Sequence, residues 1–173
     1  IDLILNMSQI QTDTYSPVFK EINLDTDILS RIIQEFKYRA RQKGIELIYS
    51  VEDCDPVVWG DDYTIGQIFA NLIDNALKYT NKGSIEVLLK GDGNSLFAEV
   101  KDTGIGISEE YLPNLFAPFT QEEMGYTRRF DGTGLGLVLV KKYVEINKAE
   151  IFVESEKDKG TKFVLSFPCN NKS

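Results

Sequence analysis

The sequence predicts an α+β fold, a two-layer sandwich in which helices cover a mixed, mostly antiparallel sheet. Three observations carry that prediction. Between residues 66 and 79, Ile68, Phe69, Leu72, Ile73, Ala76 and Leu77 occupy more than half of a helical circumference, so this helix is pressed into a core. Residues 84–90 and 95–101 are strand-like and flank Gly91-Asp92-Gly93-Asn94, a hairpin signal. A second strand pair, 149–154 and 162–167, closes the chain around Asp158-Lys159-Gly160.

Taken in order, Ile1, Leu3, Ile4, Leu5, Met7 and Ile10 have the spacing of the tail of an amphipathic helix. The polar stretch from Gln11 to Pro17 reads as a linker, so the expected organisation is 1–16 as helix tail plus linker, 17–169 as the folded domain and 170–173 as a polar tail. The start at Ile1-Asp2 instead of Met suggests a piece of a longer protein. Val18, Lys20 and Ile22 alternate as in a short strand. Asp25 or Thr26 is then positioned to cap a helix reaching Lys43, with Ile28, Leu29, Ile32, Ile33, Phe36 and Tyr38 on its buried side and Gly44 ending it.

Residues 45–51 form the next strand, and Asp53-Cys54-Asp55-Pro56 turns it. Val57-Val58-Trp59 is a brief apolar segment, and Gly60-Asp61-Asp62 supplies the N-cap of the central helix. The strand at 95–101 runs into Asp102-Thr103-Gly104-Ile105-Gly106-Ile107. Ser108-Glu109-Glu110 is expected to open a short helix. Residues 120–131 are charged and aperiodic, which reads as a long mobile loop. The last helix runs from Gly132-Thr133-Gly134-Leu135-Gly136-Leu137 to about Asn147.

Composition narrows the chemistry. With 42% hydrophobic and 27% charged residues the chain is an ordinary soluble globular type, and it has no apolar run long enough to span a membrane. A net charge of −8 argues against broad nucleic-acid binding, so any anionic ligand must be met locally. Cys54 and Cys169 form neither a disulfide framework nor a close metal pair, and a reducing compartment is expected. The absence of histidine removes serine–histidine and cysteine–histidine nucleophile chemistry and histidine metal sites.

Three features resist explanation as packing. The central helix has a narrow polar stripe of Gln67, Asn71, Asp74, Asn75 and Lys78, and asparagine is a poor helix former. An ordinary wet edge and the wall of a pocket for a metal and an anion both remain open from this stretch alone. Next, a strand ends in Asp102 followed by alternate glycines, Gly104 and Gly106; it is either a simple turn or a place where a flat ligand meets the backbone and an aspartate accepts from an amino group. Finally, Gly132, Gly134 and Gly136 stand at the mouth of a helix, where exposed N–H groups and the positive helix end suit phosphate. Neither a Walker loop nor a dinucleotide fingerprint has this pattern. Arg128 and Arg129 lie just upstream, either solvated or able to close on a nucleotide.

In their order, residues 71–80 resemble the N box, 102–107 the first glycine box, Phe116-Ala117-Pro118-Phe119 the phenylalanine box and 132–137 the second glycine box of sensor histidine kinase catalytic domains. Those domains share a Bergerat-type ATP-binding fold with gyrase, MutL and the large heat-shock chaperone. The resemblance covers roughly residues 18–168. It implies ATP and Mg²⁺ as cofactors, with Asn75 as the Mg²⁺ ligand and Asn71, Lys78 and Arg128 at the reacting phosphate. It also implies nucleotide contacts from Tyr79, Asp102, Gly104, Ile105, Gly106, Ile107, Phe119, Arg129, Gly132, Thr133, Gly134, Leu135, Gly136, Leu137 and Thr161, with Asp102 reading the adenine amino group and 120–131 serving as a lid.

Asn71 stands where gyrase-type relatives carry a water-activating glutamate. The resemblance therefore implies a kinase that passes the γ-phosphoryl group to a histidine outside this chain, in a dimerisation hairpin, for relay to a response-regulator receiver domain. The alternatives are a conformational ATPase and a non-catalytic nucleotide-binding module. A monomeric fragment of a homodimeric parent is expected, in the cytoplasm, without nucleic-acid or membrane contact by the fragment; whether the parent is membrane-anchored is left open. One departure is Asn147-Lys148-Ala149 in place of a His-Gly-Gly-like turn, which touches packing more than chemistry.

Overall fold

The structure is a computed structural model that describes Ser8, residues 14–117 and residues 136–168. A central five-stranded sheet is built from β2 (Ile45–Val51), β4 (Gly83–Gly91), β5 (Ser95–Asp102), β6 (Glu150–Glu156) and β7 (Gly160–Pro168), in the order β2-β4-β5-β7-β6. Only the β2–β4 pairing is parallel; the other neighbours are antiparallel. The parallel step needs a crossover, and the central helix, α2 (Asp62–Tyr79), lies within it. A separate two-stranded sheet pairs β1 (Phe19–Asn23) with β3 (Val57–Asp61).

The first helix begins differently from the sequence expectation. Asn23, not Asp25 or Thr26, is the cap: its Oδ1 accepts the N–H groups of both those residues at 3.0 Å. A wide π-helical stretch (Leu24–Leu29) then leads into α1 (Ser30–Lys43), which Gly44 stops at φ 74°. Ile28, Leu29, Ile32, Ile33 and Phe36 are buried as predicted, but Tyr38 is 66% exposed and Ala40 completes the buried side instead. Helical rotation explains the exchange: Ala40 follows Phe36 by one turn on the same face, whereas Tyr38 lies opposite.

α2 begins where Gly60-Asp61-Asp62 predicts, with the Asp61 side chain accepting from the Thr64 N–H. Ile65, Ile68, Phe69, Leu72 and Ile73 are essentially inaccessible, and they share one core with Ile85, Val87 and Leu89 of β4 and Ala98 and Val100 of β5. The last helix, α3 (Gly136–Ile146), packs on α2 and contributes Leu139, Val140 and Tyr143 to the same core. Helices over a mixed sheet are the α+β sandwich anticipated from the sequence.

The short helix expected from Ser108 is reduced to turns and one 3-10 turn, Leu112–Asn114. Pro113 disfavours α conformation at Leu112 and has no N–H to extend a ladder. Phe119, Arg128, Arg129, Gly132, Thr133, Gly134, Leu135 and the expected lid lie outside the described residues, as does most of the expected helix tail at the start. Among the described residues, no helix is long and apolar enough to cross a membrane.

Candidate nucleotide site

The polar stripe of α2 forms one side of the site. Helical rotation places Lys78 between Asp74 on one flank and Asn71 and Asn75 on the other. Asn71 donates from Nδ2 to the Gln67 carbonyl one turn back, at 2.8 Å, and its Oδ1 would lie 3.5 Å from a Cβ at Gly136, the first residue of α3. The amide oxygen of Asn71 is thereby turned toward a helix N-terminus. The Asn75 side chain is half-buried and has no hydrogen bond within the described residues.

Lys78 is engaged differently. Its Nζ lies 2.9 Å from Asp74 Oδ2, while Arg39 of α1 lies 2.8 Å from Asp74 Oδ1. Burial works against the Asp74 charge, but Lys78 and Arg39 outweigh it and hold the carboxyl below the usual carboxylate range. At the end of α2, Lys43 donates to the Leu77 and Lys78 carbonyls, closing two of the open carbonyls of the last turn. Burial of Lys43 pulls its pKa down.

The floor of the site is the end of β5. Asp102 is 8% exposed and pairs in register with Thr161 of β7. Its Oδ1 accepts the Gly104 N–H at 2.8 Å and the Thr161 N–H at 3.3 Å. Burial pushes its pKa up to about 6, and the two N–H groups offset only part of that rise. Oδ2 has no hydrogen bond among the described residues and is the acceptor left for a ligand. Thr161 Oγ1 lies 2.9 Å from Ser155 Oγ, so its position is fixed from β6.

Glycine is required where the loop crosses α2. A Cβ at Gly104 would lie 2.3 Å from the Tyr79 carbonyl oxygen, and the Ile105 N–H donates to that same oxygen at 3.0 Å. Gly160, at φ +119°, is equally constrained: a Cβ there would meet the Asp102 carbonyl oxygen at 2.0 Å. Beyond the crossing, the Ile105 carbonyl accepts from Asp158 N–H, Gly106 lies against the Glu156 backbone, and Ile107 N–H donates to Ser155 Oγ. Leu137 is half-buried against the core at the start of α3. Tyr79 is also half-buried; burial first, then Tyr111 and Asp74, raises its pKa.

Thr80 is a site residue that the sequence reasoning passed over. It is fully buried, and its hydroxyl is the buried side-chain polar atom left without a partner among the described residues. That hydroxyl sits 2.8 Å from where a Cβ of Gly104 would be, directly beneath the loop that follows Asp102. A threonine ending an otherwise apolar helix was the available signal. Arg39 was also missed, because nothing local in the sequence ties it to Asp74.

An unshared oxygen on the buried Asp102 carboxylate, an orphan hydroxyl under a glycine loop, and two asparagine amides on α2 leave polar groups available around one end of this helix. Residues 60–171 match the family described as histidine kinase-, DNA gyrase B- and HSP90-like ATPases. The chain belongs to this ATPase family. It is 37% identical over 172 residues to the autoinducer 2 sensor kinase/phosphatase LuxQ of Vibrio vulnificus, covering 95% of this chain and 20% of that protein. It is 33% identical to an uncharacterised sensor-like histidine kinase of Rhizobium meliloti, covering 98% of this chain and 32% of that one. With the sensor histidine kinase RcsC of Escherichia coli it shares 32% identity, over 95% of this chain and 17% of the relative.

The chain therefore spans between 17% and 32% of the length of these curated relatives. Among solved structures, the catalytic domain of histidine kinase ThkA superposes with a TM-score of 0.74 at 25% identity, covering 87% of this chain and 97% of that one. The fold alone is shared with full-length ShkA in complex with AMPPNP, at a TM-score of 0.84 and 24% identity, over 96% of this chain and 34% of that one. The fold is thus the ATP-binding fold of this family, shared with the histidine kinase catalytic domain of ThkA.

Proposed function

We propose that this domain holds ATP with Mg²⁺ and presents the γ-phosphoryl group to a histidine of another segment of the parent protein, for onward transfer to a receiver domain. The observation that carries the nucleotide part is Asp102. Its carboxylate is buried, costly to ionise, and has Oδ2 unshared, so an adenine amino group donating there would repay part of that cost. Thr80 and Thr161 would hold the surrounding polar atoms. Asn75 would hold Mg²⁺ through its amide oxygen. No group of three His, Cys, Asp or Glu side chains that could hold a metal exists among the described residues, so phosphate oxygens and water would supply the remaining ligands, as suits this hard cation. When bound, the metal would neutralise charge on the phosphates.

Asn71, Lys78 and Arg128 are assigned to the transferring phosphate, Arg129 and Phe119 to the lid, and Gly132, Thr133, Gly134, Leu135, Gly136 and Leu137 to the loop that meets the phosphates. Asn71 supports transfer over hydrolysis, since an amide has no capacity to take a proton from water. The histidine-bearing hairpin and the homodimer belong to the parent.

Titration calorimetry of the chain with ATP, with and without Mg²⁺, tests the nucleotide reading: micromolar affinity that needs Asp102 and improves with the metal is expected. Incubating the parent protein with γ-labelled ATP tests the transfer: acid-labile, base-stable label on the parent is expected. Rapid release of inorganic phosphate with no labelled protein would favour a conformational ATPase.

A further inference from the structure

Arg39 lies on a helix that the nucleotide reading does not use, and yet its guanidinium touches the carboxylate that holds Lys78. Asp74 sits between the two cations, Oδ1 toward Arg39 at 2.8 Å and Oδ2 toward Lys78 at 2.9 Å. Arg39 is also packed over the Phe36 ring of its own helix, 4.9 Å from the centroid, which fixes the direction from which it approaches. Lys78 stands on the stripe between Asp74 and the two asparagines, so rotation about its own side chain carries the ammonium from one flank to the other.

A lysine cannot serve a phosphate at full strength while a carboxylate one turn away holds it. If Asp74 had Lys78 as its sole cation, releasing Lys78 would leave a half-buried carboxylate uncompensated. Arg39 removes that difficulty, because Asp74 keeps a charge partner after Lys78 departs. We infer that Arg39 is a positioning residue for phosphate binding: by holding Asp74 it frees Lys78 to swing toward the triphosphate. This rests on the assignment of Lys78 to phosphate made above.

The test is calorimetry of the chain with ATP and with adenosine, each with Mg²⁺, on the parent sequence and on Arg39→Ala, Arg39→Lys, Asp74→Asn, the Arg39→Ala/Asp74→Asn double variant and Lys78→Ala. Arg39→Ala should weaken ATP about threefold and leave adenosine unchanged, the size expected for a half-exposed pair. Arg39→Lys should restore most of the loss. Asp74→Asn should restore ATP affinity in the Arg39→Ala background, because with the carboxylate gone there is nothing left to hold Lys78. A purely structural role for Arg39 would shift ATP and adenosine together and would not be rescued by Asp74→Asn; either result overturns the inference. If Lys78→Ala weakens ATP while Arg39→Ala is silent, the inference alone falls. If Lys78→Ala leaves ATP affinity unchanged, the phosphate role of Lys78 falls and the inference with it. Thermal melts of each variant confirm folding, and Arg39→Gln replaces Arg39→Ala should the latter melt early.

Discussion

Asp61 and Asp102 are both strand-end aspartates, 3% and 8% exposed, and their environments are opposite. Asp61 closes β3 and caps α2. Its Oδ1 accepts the Tyr15 hydroxyl at 2.8 Å and the Thr64 N–H and hydroxyl at 2.9 Å, and its Oδ2 accepts the Val18 N–H at 2.8 Å. Burial acts against that charge, but these donors outweigh it and hold the carboxyl below its usual range. Among the described residues Asp102 has only two donors, both on one oxygen, and burial wins. A buried carboxylate surrounded by its own chain is a structural joint, whereas one left half-satisfied still has an acceptor to offer. The same contrast runs along α2: Asn147 joins the Asp61 end, accepting the Asp61 N–H and donating to Thr64 Oγ1 and the Tyr143 carbonyl, each at 2.8 Å, while the side chains of Asn75 and Thr80 at the far end have no hydrogen-bond partner among the described residues.

The contrast breaks most visibly at Asp61. Asp61→Ala should cost about 3 kcal/mol of stability, combining a lost helix cap with stranded buried donors, while ATP affinity of the folded fraction stays within twofold. Urea melts paired with calorimetry check it; a mild stability change with lost binding would reverse the roles assigned to the two aspartates.

Asp102→Asn should do the opposite. It keeps an acceptor for Gly104 and Thr161 but turns an NH₂ group toward the adenine amino group, so ATP should weaken by about 10- to 100-fold. At pH 7 the unliganded variant should melt no lower than the parent. The pH dependence follows from the signs. The Asp102 pKa is raised from 3.8 to about 6, so the folded state binds the extra proton and loses stability as pH climbs through that window, by about 3 kcal/mol at most. Asp61 is lowered, so its contribution is present above the unfolded pKa and is lost as pH falls through the folded one. Melts of Asp102→Asn between pH 4 and 7 should lack the parent's decline; an unchanged decline would assign it to other groups.

Asn75→Ala sharpens the comparison at lower energy. Stability should stay within about 0.5 kcal/mol, and Mg²⁺-ATP should bind about tenfold more weakly while metal-free ATP is little affected. Equal losses with and without Mg²⁺ would count against a metal contact. The smallest effect is expected from Thr80→Val, which removes an unpaired buried hydroxyl at nearly constant shape. The unliganded domain should gain about 1 kcal/mol, and the rise in melting temperature on adding ATP should shrink. A destabilised unliganded variant would mean that the hydroxyl is partnered after all.

Much of this was legible because it is local. The alternation of β4 and β5, the Gly44 stop, the Asp61 cap and the apolar girdle of α2 each depend on neighbours within a few residues. The strand-end Asp102 and the glycines after it were legible for the same reason, and the structure joins them to Thr161 through sheet register. What escaped was long-range. Nothing near Phe19–Asn23 says that it pairs with Val57–Asp61 in a sheet of its own, nor that Asn147 reaches Asp61 and Thr64. Tyr38 looked like a core residue by composition and fails by rotation, and Ser108 met a proline before a helix could grow.

The Asp61–Asn147 joint also has a kinetic meaning. Its partners are 86 residues apart, whereas the β4–β5 turn is held by Asp92 accepting from Asn94 and Ser95, two and three residues away. Closing the longer loop costs more chain entropy, so the hairpin is expected to assemble before the Asn147 clasp. An interaction formed after the folding barrier acts as a brake on unfolding, so Asn147→Ala should speed unfolding more than it slows folding, a split that stopped-flow kinetics in urea reads directly.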